Sequence, residues 1–283
     1  MTGAARAELE AVFGAVRVAR RVAGGCVSPS YGVELMDGRQ LFVKTAGEQW
    51  QPDAFAEEAR SLERLRAANA VVVPRVFGVC ETWLALEWLE PIAATEHHWR
   101  ALGQGLAKLH RTADTMYGWD TSNYIGPLPQ SNARTNNWSE FWREQRLRPQ
   151  LERALPRLDR TTVHAFEQLF DALDERLGPA AADGASLLHG DLWSGNVHTS
   201  VAGAGVIDPA SYYGHREVDL AMAALFGGFP RPFYDAYAAE WPLLPGAAAR
   251  RPIYQLYYLL VHVVLFGGSY AVSTAAAVQE AVA

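Results

Sequence analysis

Two short runs constrain this chain more than anything else in it: Leu-Leu-His-Gly-Asp-Leu-Trp-Ser-Gly-Asn-Val at 187–197 and Val-Ile-Asp-Pro-Ala at 206–210. Each opens with an apolar pair, Leu187–Leu188 and Val206–Ile207, of the kind that ends a buried strand. Each then delivers polar side chains. His189, Gly190 and Asp191 come first, Asn196 follows five residues after Asp191, and Asp208 stands beyond a Gly-punctuated turn. A loop followed by a short hairpin would bring three oxygen ligands, Asp191, Asn196 and Asp208, to one place.

Transfer of a γ-phosphoryl group needs such a set: a carboxylate to take the acceptor hydroxyl's proton, and an amide oxygen with a second carboxylate to hold Mg²⁺. The run from Asp191 to Asn196 matches the kinase catalytic loop, with Gly190 where Arg is usual. Asp208 stands where protein kinases carry Asp-Phe-Gly. Here Pro209 and Ala210 follow it, so the Phe-and-Gly switch is absent. A His-Gly-Asp turn alone is also a plain tight bend, and Asp208 alone a loop cap. In this order, with further kinase parts upstream, the two runs read as a catalytic centre.

Composition removes several other classes. The 283 residues, 49 % hydrophobic and 20 % charged, suffice for two lobes around a cleft. A net charge of −6 argues against a nucleic-acid partner. Two cysteines, Cys26 and Cys80, exclude a disulfide framework, and eight scattered histidines make a His/Cys metal site improbable. No run approaches the roughly eighteen apolar residues of a membrane span. The N-terminus lacks a secretory apolar core, which predicts a cytoplasmic protein. Its Leu9, Val12, Phe13 and Val16 repeat at helical spacing and predict an amphipathic helix.

The segment from Gly24 to Leu35 reads as strand, small-residue turn and strand, followed by an Asp37-Gly38 hairpin and a strand ending at Lys44. Backbone amides of Gly24 and Gly25 and the hydroxyls of Ser28 and Ser30 could cover phosphates, although Pro29 removes one donor. The helical pattern over 53–68 carries Glu57 and Glu58, and Glu58 is the better partner for Lys44; the alternative is a surface lysine over a solvated face. Strands at 71–76 and 83–90 complete a five-stranded antiparallel pattern. The polar connection from Glu87 through Trp88 and Leu89 to Pro91 could pair with adenine.

From Thr95 the pattern is helical, over 101–112, 138–155 and 161–177. The loop at 117–130 is too long and too aromatic for a linker, which predicts a packed functional element. A helix starting near Arg216 carries Asp219, which either reaches back to the catalytic loop or complements the helix dipole. The apolar run 254–266 predicts a buried helix, with His262 a satisfied core residue. Trp193, inside the catalytic loop, is the one tryptophan singled out as a substrate wall.

These stretches resemble the fructosamine (ketosamine) kinase family of the aminoglycoside phosphotransferase and choline kinase-like group, over nearly the whole chain. The resemblance rests on Gly24-Gly25-Cys26, on Tyr117-Gly118 with Asn123 to Gln130, on Phe141 to Gln150, on His189 to Asn196, on Asp208 to Glu217 and on Phe226 to Phe229. It implies an α+β, protein-kinase-like fold: a small N-terminal ATP-binding lobe (1–90) with a five-stranded antiparallel sheet, and a larger helical catalytic and substrate-binding lobe (91–283). It implies ATP and Mg²⁺ as cofactors and phosphorylation of the 3-hydroxyl of a ketosamine, free or protein-bound, in a deglycation role. Position by position, Asp191 is the base, Asn196 and Asp208 hold Mg²⁺, Lys44 pairs with Glu58, and Glu87 to Leu89 form the adenine hinge, with His189 and Asp219 supporting. Some family members form an intersubunit disulfide at the position of Cys26, so the expectation is a monomer or a redox-sensitive homodimer; a small buried thiol is the alternative.

Two further readings stay open. A kinase of another hydroxylated amine, such as an aminoglycoside or choline, would favour a dense acidic cluster that the C-terminal half lacks. A catalytically inert scaffold would lack one of the Lys, base or metal residues, and all are present.

Overall fold

The computed structural model describes residues 1–22, 28–47 and 50–283. Helix α1 (Gly3–Phe13) starts where the Thr2 hydroxyl accepts from the Ala5 amide. The sequence predicts that it continues through Val16. It stops instead at Gly14, whose φ of 96° no helical residue adopts. Val16–Arg21 then forms β1, a conformation that suits the β-branched Val16 and Val18. The first described strand therefore lies upstream of the Gly-rich run. Gly24, Gly25 and Cys26 themselves lie outside the described residues.

β2 (Ser30–Leu35), β3 (Gln40–Thr45), helix α2 (Ala54–Ala67), β4 (Val76–Val79) and β5 (Trp83–Glu87) follow. The five strands form one antiparallel sheet in the order β1-β2-β3-β5-β4. Alternation in β3 decides what faces the cleft. Leu41 and Val43 join Leu9 and Trp83 in a cluster under α1, while Phe42 packs on the larger core with Leu84, Leu86, Phe55 and Leu62. Lys44, in step with Phe42, is thereby placed on the inner face.

Two predicted strands shift. Val71 to Val73 is not in the sheet, because Pro74 has no N–H for the ladder; the run crosses instead to the second part of the chain, where the Val72 carbonyl accepts from the Val206 amide at 2.9 Å. The last strand ends at Glu87, not Glu90.

The second part is mostly helical: α3 (Glu96–His110), the short β6 (Ala113–Asp114), a hairpin of β7 (Asn123–Ile125) and β8 (Leu128–Gln130), α4 (Trp138–Phe141), α5 (Arg148–Ala154) and α6 (Arg160–Leu177). The helix expected over 138–155 widens into π turns at Trp142–Leu147. Pro149 lies just beyond, and its ring would press on the carbonyl four residues back in a regular helix. Then come β9 (Ala185–Leu188), β10 (Val197–Ser200), β11 (Gly203–Val206) and β12 (Tyr212–Gly214). Helices α7 (Glu217–Leu225), α8 (Arg231–Glu240), α9 (Ala247–Phe266) and α10 (Ser269–Val282) close the chain. α9 is the predicted buried helix, started earlier, at Ala247. Among the described residues no helix is long and apolar enough to cross a membrane.

Candidate active site

β9 is buried along its whole length and runs between β6 and β12. Its end delivers His189, Gly190 and Asp191 to the cleft. Gly190 has a φ of 84°, and a Cβ there would overlap the Ala210 carbonyl oxygen, so no Arg or other L residue fits without moving backbone. The β10–β11 hairpin returns the chain to Asp208, itself left-handed at φ 57°. That conformation costs a non-glycine residue roughly 1 kcal/mol and is sustained by neighbouring bonds: Ile207 N donates to Asn196 O (3.0 Å) and Ala210 N to His189 O (2.9 Å).

The loop hangs from Asp219 on α7, which has no exposed surface. Its Oδ2 accepts from the His189 amide (2.7 Å) and its Oδ1 from the Gly190 amide (2.9 Å). The His110 ring meets Oδ2 at 3.1 Å, and the same ring's Nδ1 lies 2.8 Å from the Tyr237 hydroxyl. Burial keeps His110 below its ordinary pKa, so the neutral ring donates Nε2–H to Asp219 and accepts from Tyr237. His189 is likewise held neutral by burial. Its Nδ1 accepts from the Asp191 amide (3.2 Å) and its Nε2 donates to Ile207 O (2.9 Å), which joins the two sequence runs. From α9, the Tyr258 hydroxyl donates to Gly190 O at 2.7 Å.

Asn196 Nδ2 donates to Asp191 O (2.9 Å) and Asp191 Oδ2 (3.3 Å), which leaves its Oδ1 free to accept. Burial first, and the like charge of Asp208 second, push the Asp191 carboxyl up to about 7. Lys44 Nζ lies 2.6 Å from Glu58 Oε1 and 2.7 Å from Asp208 Oδ1. Burial alone would lower this ammonium, but the charges of Asp208 and Glu58 outweigh it and hold the lysine protonated. The 2.7 Å contact with Asp208 Oδ1 is an ion pair whose angle falls outside hydrogen-bond geometry.

That oxygen, held by charge alone, tests the fit of a metal ion. Among the described residues no group of three or more His, Cys, Asp or Glu could hold one. Mg²⁺ needs no such cage, since it takes one or two protein oxygens and fills its octahedron with phosphate oxygens and water. Asn196 Oδ1 and the under-satisfied Asp208 carboxylate fit that demand.

These groups line a cavity of about 690 Å³ between the sheet and the helical part. It gathers Ser28, Ser30, Lys44, Glu58, Glu87, Trp88, Leu89, Asp191, Trp193, Asn196 and Asp208. His189 and Asp219 stand behind it. Ser30 Oγ donates to Ser28 O at 3.3 Å. The Trp193 indole fills the space that a Cβ on Gly195 would need. At the connection, Glu87 is tied to Arg75 through its amide and carboxylate, and the Trp88 indole packs over Gly32. The Leu89 carbonyl is engaged by His198 Nε2 at 2.7 Å, while the Leu89 amide has no acceptor among the described residues.

Sequence reading missed His110, His198 and Tyr258. Only Tyr258 left a signal, a hydroxyl inside a run apolar enough to demand a partner for it. His262, read as a core histidine, is satisfied by the Tyr258 carbonyl at 2.8 Å.

A profile of the fructosamine kinase family matches residues 3–283. The probable ketoamine kinase of Synechocystis sp. is 42 % identical over 266 residues, covering 89 % of this chain and 85 % of its own. The chloroplastic protein-ribulosamine 3-kinase of Oryza sativa is 34 % identical, covering 92 % and 77 %. A crystal structure from Thermobifida fusca, of a protein named as a fructosamine-3-kinase, superposes with a TM-score of 0.91 at 37 % identity over 99 % of both chains. A gentamicin-bound aminoglycoside phosphotransferase shares the fold at a TM-score of 0.67 and 13 % identity, over 99 % of this chain and 96 % of that one.

Proposed function

The chain belongs to the fructosamine kinase family, and on that premise we propose how its cleft phosphorylates ketosamines, the rearranged adducts of sugars with amines. It is an ATP-dependent phosphotransferase with a protein-kinase-like fold. The observation that carries the reading is the convergence of Asp191, Asn196 and Asp208 on one cavity beside the Lys44–Glu58 pair.

In this reading the boundary between the ATP-binding and catalytic lobes falls near residue 90. The free Leu89 amide faces an adenine ring nitrogen, and Lys44, steadied by Glu58, contacts the α- and β-phosphates under Ser28 and Ser30. Asn196 and Asp208 hold Mg²⁺, which supplies charge neutralisation for the phosphates when bound. Asp191 accepts the proton of the sugar 3-hydroxyl as that oxygen meets the γ-phosphorus. A carboxyl pushed up to about 7 by its surroundings is a stronger base than a free one. Trp193 walls the sugar. The product then releases its amine, which places the enzyme in repair of glycated amines, in the cytoplasm where ATP is available. Cys26 as a redox switch between monomer and homodimer remains part of this proposal and is read from the sequence alone.

ATP consumption with fructosyl-, ribulosyl- and erythrulosyl-lysine, beside kanamycin and choline, tests the assignment. Turnover should be confined to the ketosamines, and turnover of kanamycin or choline alone would overturn it. Asp191→Asn should lower kcat by about 10³-fold with nucleotide affinity unchanged, because the base acts on the acceptor.

A further inference from the structure

Hairpin β7–β8 touches both halves of the cleft without contributing a reacting group. Its buried amides, Asn123 and Gln130, form a chain with Asn132 just beyond it. Asn123 Nδ2 donates to Ser211 O (2.9 Å), and Gln130 Nε2 donates to Ala210 O (3.2 Å) and to Asn123 Oδ1 (2.8 Å). Asn123 Oδ1 also accepts from Asn132 Nδ2 (2.8 Å), and the Tyr257 hydroxyl donates to Gln130 Oε1 at 2.6 Å. Behind them the fully buried Arg146 donates to Asn132 Oδ1 at 2.7 Å and has no carboxylate partner among the described residues.

Asn123, Gln130 and Asn132 are each at most 3 % exposed. Burying three amides is unfavourable unless every donor and acceptor finds its mate, and a network so completed has one geometry. The two backbone oxygens it grips belong to the residues just after Asp208-Pro209. They are the far anchor of the left-handed turn that aims the Asp208 carboxylate, His189 O and Asn196 O being the near one. The same hairpin reaches the helix of Glu58: Thr121 Oγ1 donates to Glu57 Oε2 (2.7 Å) and the Tyr124 hydroxyl to Asp53 Oδ1 (2.6 Å).

We propose that Asn123 and Gln130 are positioning residues for Asp208, a permanent clamp in place of the flexible segment that follows the metal-binding aspartate of protein kinases. This rests on reading Asp208 as a Mg²⁺ ligand. A clamp acts on the metal and leaves the metal-free nucleotide alone, which separates it from a general packing role.

Calorimetric binding of a non-hydrolysable ATP analogue to the full chain, in Mg²⁺ and in EDTA, makes the test. Asn123→Leu should keep the EDTA affinity within about twofold and cut the Mg²⁺ enhancement about tenfold, the value of its one hydrogen bond to the Ser211 carbonyl. Tyr257→Phe, which removes one hydroxyl and keeps the packing, should cut it about threefold and decides the matter if Asn123→Leu does not fold. The Mg²⁺ concentration for half-maximal kcat should rise by the same factors. A full Mg²⁺ enhancement in the variants, with a lowered melting temperature, would overturn the clamp. No Mg²⁺ enhancement in the unmodified protein would overturn the assignment of Asp208, and the clamp with it.

Discussion

The two walls of the cleft are held by different physics. On the helical side the loop of Asp191 hangs by two backbone amides from Asp219, which the neutral His110 imidazole braces, and all of these groups are buried. On the sheet side Lys44 stands between two carboxylates, Glu58 and Asp208, with no alignment demanded by the second. Backbone hydrogen bonds in a dry site fix direction as well as distance, so the first wall is a frame. A charge contact fixes distance alone and can be exchanged for another anion, so under the proposed function the second wall would release Asp208 when phosphates and a cation arrive. In the proposed mechanism, the group that takes a proton from the sugar is on the frame. In the same proposal, the group that follows the nucleotide is on the exchangeable side.

Breaking the frame should cost most. Gly190→Ala forces a side chain into the Ala210 carbonyl at a positive φ, and should lower stability by about 2–3 kcal/mol and kcat by about 100-fold or more. Chemical denaturation and initial rates measure both, and a fully active Gly190→Ala would mean that the frame is softer than its hydrogen bonds imply. On the exchangeable wall, Lys44→Met should weaken ATP binding about 10- to 100-fold. The same variant should bind Mg²⁺ alone more tightly, since the ammonium no longer competes for Asp208; unchanged Mg²⁺ affinity by calorimetry would contradict the exchange.

The walls should also differ in their response to acid. His110 is kept neutral in the fold by burial, so the unfolded chain binds more protons below about pH 6.5, and stability falls as pH drops through that value. For Asp219, burial alone would raise the pKa, but the His110 hydrogen bond and surrounding donors bring it below the usual value, so its contribution is lost only at lower pH. Melting temperatures from pH 8 to 5 should decline in the unmodified protein and decline less in His110→Gln, which keeps a donor for Asp219. The smallest effect belongs to the hinge. His198→Ala frees the Leu89 carbonyl while leaving its amide as it was, and should change KM for ATP by about two- to threefold with kcat unchanged.

Much of this centre was legible because its chemistry is local. Asp191 and Asn196 sit on one loop, Asp208 ends a tight hairpin, and Gly190 marks the sharp turn between strand and base. Lys44 was legible as the lysine that ends a strand, and Glu58 through helix periodicity. The N-terminal helix was overextended because Val16 fits its apolar stripe, while Gly14, which ends it, acts through one backbone angle that periodicity does not register. The run at Val71 to Val73 looks like a strand because it is apolar; what it pairs with is the β10–β11 hairpin, far along the chain.

The sequence by itself determined the identities and spacing of the candidate reacting groups, the family resemblance and the strand that carries Lys44, since each of these is written in neighbouring residues. Only the tertiary structure decided what holds them. His110 meets Asp219 from 109 residues away, Asn123 reaches Ser211 across 88, and His198 takes the Leu89 carbonyl across 109. A hydrogen bond between distant segments needs only that folding bring two groups within about 3 Å, and that requirement leaves no period or spacing in the chain that makes it.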